Sequence, residues 1–137
     1  MKGRNVHILD DDAPFRESLG FLLSAHGYHV TLYAEPAEFL RDHVEDRQAC
    51  IICDVRMPGM GGIEVARALR ERGVNSRIIL ITGHADPSLV ERGLKAGASL
   101  LLEKPFAPRR LLEALEALCA PDPDNPPAHQ DETVARD

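Results

Sequence analysis

The sequence contains no tryptophan, two tyrosines and four phenylalanines, so its core has to be built from Leu, Ile, Val and Ala. Positive charge is in deficit: 16 Lys and Arg against 22 Asp and Glu give a formal net charge of -6. That balance excludes a nucleic-acid-binding surface, because phosphate contacts need clustered Lys and Arg. No window holds the long uncharged apolar stretch that a membrane span requires. Lys2 and Arg4 precede only a short apolar run that ends in Asp10, Asp11 and Asp12, which does not fit a signal peptide. The cytoplasm is the expected location.

Cysteine is also scarce. Three residues, an odd number, do not suggest a disulfide framework. Cys50 and Cys53 share a C-x-x-C spacing, but the segment reads as a strand. At about 3.3 Å per residue their Cα atoms would stand roughly 10 Å apart, on opposite faces. They cannot pair with each other, and two buried thiols are expected.

What is present is an alternation of short apolar strands and amphipathic helices in 137 residues, a length for one domain. Strands are expected at Val6–Leu9, His29–Tyr33, Ala49–Cys53, Arg77–Ile81 and Ser99–Leu102. The third and fourth are continuous apolar runs, as in strands buried on both faces of a parallel sheet. Helices are expected from Pro14 to Gly27, Glu35 to Asp42, Gly62 to Glu71, Pro87 to Ala96 and Pro108 to Leu118. Pro14 suits a first helical turn, and Phe15, Leu19, Leu22 and Leu23 recur at helical spacing. Parallel strands need crossover connections, and helices then cover both faces. The expected fold is therefore α/β, a flavodoxin-like five-stranded parallel sheet of order 2-1-3-4-5.

From Ala120 the composition changes. Residues 120–137 hold four prolines and five acids against one arginine. Such a segment buries too little apolar surface to offset its ordering entropy. The expected organisation is a domain over 1–119 followed by a disordered tail or linker over 120–137.

In such a sheet, ligands bind at the carboxyl ends of the strands. There the sequence places Asp10 and Asp11 after strand 1, Asp54 after strand 3, Thr82 after strand 4, and Glu103 and Lys104 after strand 5. Each has an ordinary explanation, as a helix cap, a strand-end hydroxyl or a surface charge. Their convergence at four strand ends is harder to explain that way. Three carboxylates repel, and one lysine cannot neutralise them. Oxygen-only ligands favour Mg²⁺, which would draw a phosphoryl group toward a carboxylate nucleophile. Lys104 would act as a point charge on the phosphate and Thr82 as a hydrogen-bond donor.

Four segments carry a family resemblance: Val6–Asp12, Cys53–Gly62, Ile81–His84 and Glu103–Phe106. They resemble the signature segments of the receiver domains of two-component response regulators. The Thr82-Gly83-His84 and Glu103-Lys104-Pro105-Phe106 wording is most similar to the FixJ-type branch. The resemblance spans about residues 4 to 119. It implies that Asp54 is the phosphoacceptor and Asp11 a direct Mg²⁺ ligand, with Asp10 reaching the metal through water and the Arg56 carbonyl as a further ligand. It also implies that Thr82 follows the phosphoryl group, that Lys104 pairs with it, and that the bond before Pro105 is cis.

The implied donor is a sensor histidine kinase or phosphotransfer protein. A downstream output protein would be reached through the face of helix 4, strand 5 and helix 5, with homodimerisation as an option. The domain would be no enzyme beyond its own phosphorylation and dephosphorylation. Two positions depart from the family pattern: an aromatic residue is usual where Leu101 stands, and an acid where Leu100 stands. These put the route from phosphate to output surface in question.

Two other readings compete. A receiver-like interaction module would carry no phosphate, as Leu100 and Leu101 would allow. A small haloacid-dehalogenase-type phosphatase would use the D-x-D of Asp10 and Asp12, but the rest of that pattern is missing and Asp54 is left without a role. Glu64, Arg67, Arg70 and Glu71 read as the solvated face of a helix, His84 as a surface residue, and His7 has no metal-ligand spacing to other histidines or cysteines.

Overall fold

The computed structural model describes residues 5–42 and 49–118. Strand and helix alternate as β1 (Asn5–Leu9), α1 (Ala13–Ala25), β2 (His29–Tyr33), α2 (Pro36–Asp42), β3 (Cys50–Asp54), α3 (Gly62–Glu71), β4 (Arg77–Thr82), α4 (Pro87–Ala96), β5 (Leu100–Glu103) and α5 (Pro108–Leu118). The strands form one parallel sheet in the order β2-β1-β3-β4-β5, as expected. The tail proposed over 120–137 lies outside the described residues.

Side chains in a strand alternate between the two faces, and the two halves of the core follow that period. Leu9, Ile51, Cys53, Ile78 and Leu80 face α2, α3 and α4, where they meet Phe39, Leu40, Ile63, Val65, Ala66, Leu69 and Leu89. Their neighbours Val6, Ile8, Cys50, Ile52, Ile79 and Ile81 face Leu19 and Leu23 of α1 and Leu111, Ala114 and Leu115 of α5. Every residue of β3 is buried, which is why that segment reads as an unbroken apolar run. β2 is an edge strand, buried only at Tyr33, and its apolar signal is correspondingly weak. Each buried Leu or Ile contributes about 1.5–3 kcal/mol. Truncating Leu80, which is fully buried at the centre of one face, should cost about 2–5 kcal/mol.

The helices start and stop where their end residues direct. Asp12 Oδ1 accepts from the Phe15 N–H at 3.2 Å, and Pro14 sits in the same first turn of α1. Asp86 and Pro87 do the same for α4, with Asp86 Oδ1 accepting from Leu89 N–H at 2.8 Å. α4 ends at Gly97, whose φ of 115° lies in the left-handed region that favours glycine.

β3 and β4 each run one residue beyond the apolar stretch, so Asp54 and Thr82 belong to the ladder. Asp54 pairs with Ile81, and Thr82 with Glu103. β5 likewise runs over Leu100–Glu103 rather than Ser99–Leu102.

Two expectations need correction. Arg70 is not part of a solvated face. Its guanidinium donates to the carbonyls of Val74 (2.7 Å), Ser76 (2.9 Å) and Gly97 (2.6 Å), tying the end of α3 to the end of α4. Cys50 is not a free thiol: it is disulfide-bonded, and not to Cys53, which is free and buried. His7 is buried, with its ring against Tyr33 and Phe39. No helix among the described residues is long and apolar enough to cross a membrane.

Candidate functional site

Parallel strands of matched register end together, so the residues at their carboxyl ends share one edge. Leu9 pairs with Cys53, Asp54 with Ile81, and Thr82 with Glu103. The residues at those ends are polar although the strands behind them are apolar. Asp10 and Thr82 are almost fully buried, and Asp54 is 9% exposed.

Lys104 joins the two inner acids. Its Nζ lies 3.3 Å from Asp54 Oδ2 and 3.5 Å from Asp10 Oδ2. The other carboxylate oxygens are tied to backbone: Asp10 Oδ1 accepts from Asp12 N–H and Asp54 Oδ1 from Arg56 N–H, both at 2.9 Å. Each acid therefore has one oxygen fixed and one turned toward the ammonium. The Lys104 N–H also donates to the Thr82 carbonyl at 2.7 Å, which locks the β5 end against β4. The peptide bond from Lys104 to Pro105 is cis, as the resemblance implied.

Asp11 is exposed and completes the acidic group. Asp10, Asp11 and Asp54 each bring a carboxylate oxygen within 4.8 Å of the others. Burial raises the Asp10 carboxyl above its usual range, and the neighbouring Asp54 charge adds to this. The pull of Lys104 and the Asp12 N–H only partly offsets the rise. Burial by itself would lower Lys104, but Asp10 and Asp54 together hold it above its ordinary value. Three acids facing one ammonium leave negative charge uncompensated at an oxygen-only site. A hard divalent cation such as Mg²⁺ fits that donor set.

The expected residues are not equally close. Asp10, Asp54 and Lys104 are in direct contact, and Asp11 joins them through the carboxylate cluster. Arg56 is tied in by its backbone N–H. The Thr82 hydroxyl is turned to its own loop, within 3.2 Å of both the N–H and the carbonyl oxygen of His84. His84 is exposed, as anticipated. Asp12 is exposed and caps α1, so the D-x-D reading loses its second acid to a structural role.

Sequence reasoning missed Phe15, taking it only as one apolar position of α1. The Lys104 ammonium sits 4.2 Å from the centroid of its ring. Phe106 meets the same ring edge-on at 6.3 Å. No spacing rule links residues 15 and 104. The only signal was that Phe15 closely follows one signature segment and Lys104 lies within another.

Residues 6–116 match the response regulator receiver domain family. The chain belongs to that family. Among curated relatives, the transcriptional regulatory protein FixJ of Azorhizobium caulinodans is 43% identical over 112 residues, 82% of this chain and 53% of the relative. FixJ of Bradyrhizobium diazoefficiens is 37% identical over 133 residues, 97% of this chain and 63% of the relative. The chain thus spans only about half to under two thirds of their length. The crystal structure of FixJ-N superposes with a TM-score of 0.80 at 34% identity, covering 99% of this chain and all of that one. The chain is thus a receiver domain of two-component signalling, and its acidic pocket is compatible with Mg²⁺ and an aspartyl phosphate.

Within this receiver the atypical Leu101 is half-buried against the core under α4. It pairs with Leu80 across the ladder. Leu100 packs on the opposite face, with the α1 and α5 core. Leu101 and Leu100 are thus partly buried against opposite halves of the core.

Proposed function

We propose that Asp54 is the phosphoacceptor and that this receiver switches a partner-binding surface when Asp54 carries phosphate. The observation that carries the reading is the bridging of Asp54 and Asp10 by Lys104 inside a three-carboxylate group. Asp54 Oδ1 is held by Arg56 N–H, leaving Oδ2, on the side of the ammonium, as the nucleophilic oxygen. An O–P bond would form there as the donor's bond to phosphorus breaks. Lys104 would move from carboxylate to phosphoryl oxygen without leaving the pocket. The Thr82 hydroxyl, now on the His84 backbone, would turn to donate to another phosphoryl oxygen.

Mg²⁺ would be held by Asp11, Asp54 and the Arg56 carbonyl, with Asp10 acting through water. When bound it would neutralise charge on the acids and on the transferring group. The chain's own catalysis would be limited to gaining and losing this phosphate. The donor is a sensor histidine kinase or phosphotransfer protein, and an output protein is met at the face of α4, β5 and α5. The receiver would occupy residues 1–119, with 120–137 as tail or linker, in the cytoplasm.

Incubation with acetyl phosphate and Mg²⁺ should produce acid-labile phosphate on the wild type and none on Asp54→Asn. Labelling that persists in the variant would reject the acceptor. A wild type that takes no label would favour a phosphate-independent interaction module.

A further inference from the structure

Lys104 has three partners, and two of them are acids of the proposed site: Asp54, which would take the phosphate, and Asp10, which would face the metal through water. Its contacts to Asp54 Oδ2 and Asp10 Oδ2, 3.3 and 3.5 Å, are longer than the ~2.7–2.9 Å of a tight charge-assisted pair. Both oxygens are also needed elsewhere, on a cation or on phosphorus. Between releasing the carboxylates and meeting the phosphoryl oxygen, a lysine on a flexible four-carbon stem needs another contact to stay in the pocket.

The third partner is the Phe15 ring, 4.2 Å from Nζ to its centroid. A ring face attracts an ammonium through its quadrupole, and neither metal nor phosphate can neutralise it. The ring is placed by its helical turn and by one aromatic neighbour. Phe15 N–H donates to Asp12 Oδ1, which fixes the first turn of α1. Phe106 stands against the ring at an interplanar angle of 85°. Phe106 lies two residues after Lys104, so the segment that supplies the ammonium also supplies the buttress of its anchor.

From this geometry we infer that Phe15 is a positioning residue for phosphoryl transfer: its ring holds the Lys104 ammonium at the mouth of the pocket while the acids exchange partners. The inference rests on the reading of Lys104 as the partner of the phosphoryl group. Phe15 touches no reacting atom and acts only through Lys104.

The test pairs a spectroscopic reading with a kinetic one. In metal-free wild type the Lys104 ε-CH₂ protons should resonate upfield, shifted by the ring current of Phe15. Phe15→Leu, which keeps apolar bulk at this half-buried position, should abolish that shift, and Phe15→Tyr should retain it. With acetyl phosphate at saturating Mg²⁺, Phe15→Leu should phosphorylate about three- to tenfold more slowly, the range a partly desolvated cation–π contact supports. Phe15→Tyr should restore the rate, and Phe15→Leu placed in a Lys104→Met background should cause no further loss. Should Phe15→Leu fold poorly, Phe15→Met serves in its place. An unshifted lysine signal in the wild type would overturn the inference. So would an unchanged rate in Phe15→Leu, a failed rescue by Tyr, or an equal loss without Lys104. A wild type that accepts no phosphate but shows the ring-current shift would overturn instead the phosphoacceptor reading and, with it, the kinetic role.

Discussion

The guanidinium of Arg70 donates to the carbonyl of Gly97 across 2.6 Å, joining the last turn of α3 to the residue that ends α4. The same side chain reaches Val74 and Ser76, so three loop carbonyls depend on one cation. Burial, with the nearby Arg77 charge, lowers its pKa from the usual arginine value.

Arg70→Met keeps the apolar stem and removes all three bonds. Hydrogen bonds to charged groups contribute about 1.5–3 kcal/mol each when buried, and partial exposure reduces the total here. A loss of about 2 kcal/mol in urea unfolding is expected. A loss below about 0.5 kcal/mol, the range of ordinary surface substitutions, would show that water replaces the guanidinium without penalty.

Two glycines near the site should respond differently to alanine. Gly61 has an ordinary φ of -90°, but a Cβ there would overlap the Val55 carbonyl oxygen. That loop carries the Arg56 N–H bonded to Asp54. A Cβ on Gly83 would meet nothing within 4 Å. Gly61→Ala should therefore cost about 1–3 kcal/mol by overpacking and slow labelling of Asp54, whereas Gly83→Ala should be near neutral in stability. Thermal unfolding of both variants, with phosphorylation assays alongside, checks the contrast. Equal behaviour of the two would count against it.

The sheet and the acidic pocket were legible in the sequence because both depend on local patterns. Apolar runs mark β3 and β4, and a strand's end is where its polar residues begin. Reading stopped where a role depends on residues distant in the chain. Arg70 falls on the polar side of its helix pattern, and only the folded loops reveal its three acceptors, one of them Gly97. Phe15 and Lys104 meet across 89 positions with no shared periodicity. Asp12 reads as a signature acid, yet its oxygen is used by the Phe15 N–H. Cys50 looks like any strand cysteine, and nothing nearby in the sequence marks it as bonded.

The metal-free pocket should be a source of instability. Burial first, and Asp54 second, raise the Asp10 carboxyl above its usual range, so the fold favours its neutral form. The stability linked to this group is complete below the unfolded value and is lost as pH rises through the higher folded one. Ionising Asp10 within the fold is therefore a cost. Asp54→Asn removes one source of that cost. Lys104 loses a partner but keeps Asp10, and because Lys104 is partly exposed the lost pair weighs less. With chelator at pH 7, Asp54→Asn should be about 1 kcal/mol more stable than wild type, in the range typical of relieved active-site strain. Mg²⁺ should narrow the gap. A less stable Asn variant in chelator would refute this balance.

Cys53 should resist thiol reagents in the native state. It is buried, and burial together with the Asp54 charge pushes its thiol well above the ordinary value, so little of the reactive thiolate is present. Iodoacetamide at pH 8, followed by mass spectrometry of the Cys53 peptide, should show alkylation in urea and almost none without it. Comparable rates in both conditions would mean that β3 opens locally.

The route by which phosphate reaches the surface should bypass β5. Leu101 lies half-buried under α4, with its Cδ1 3.6 Å from where a Cβ on Gly93 would stand. An aromatic ring with a polar tip can choose between a buried and an exposed position, but a leucine has no such choice. Its burial, worth up to about 1.5–3 kcal/mol, favours the inward position with or without phosphate. A ligand shifts an equilibrium only through its different affinity for two states, and Leu101 offers only one. Movement should then pass from Thr82, whose hydroxyl must leave His84, into the loop and α4. Backbone amide shifts on adding beryllofluoride and Mg²⁺ should be large over residues 82–96 and small over Leu100–Leu102. Equally large shifts along β5 would show that propagation does not need the ring that Leu101 replaces.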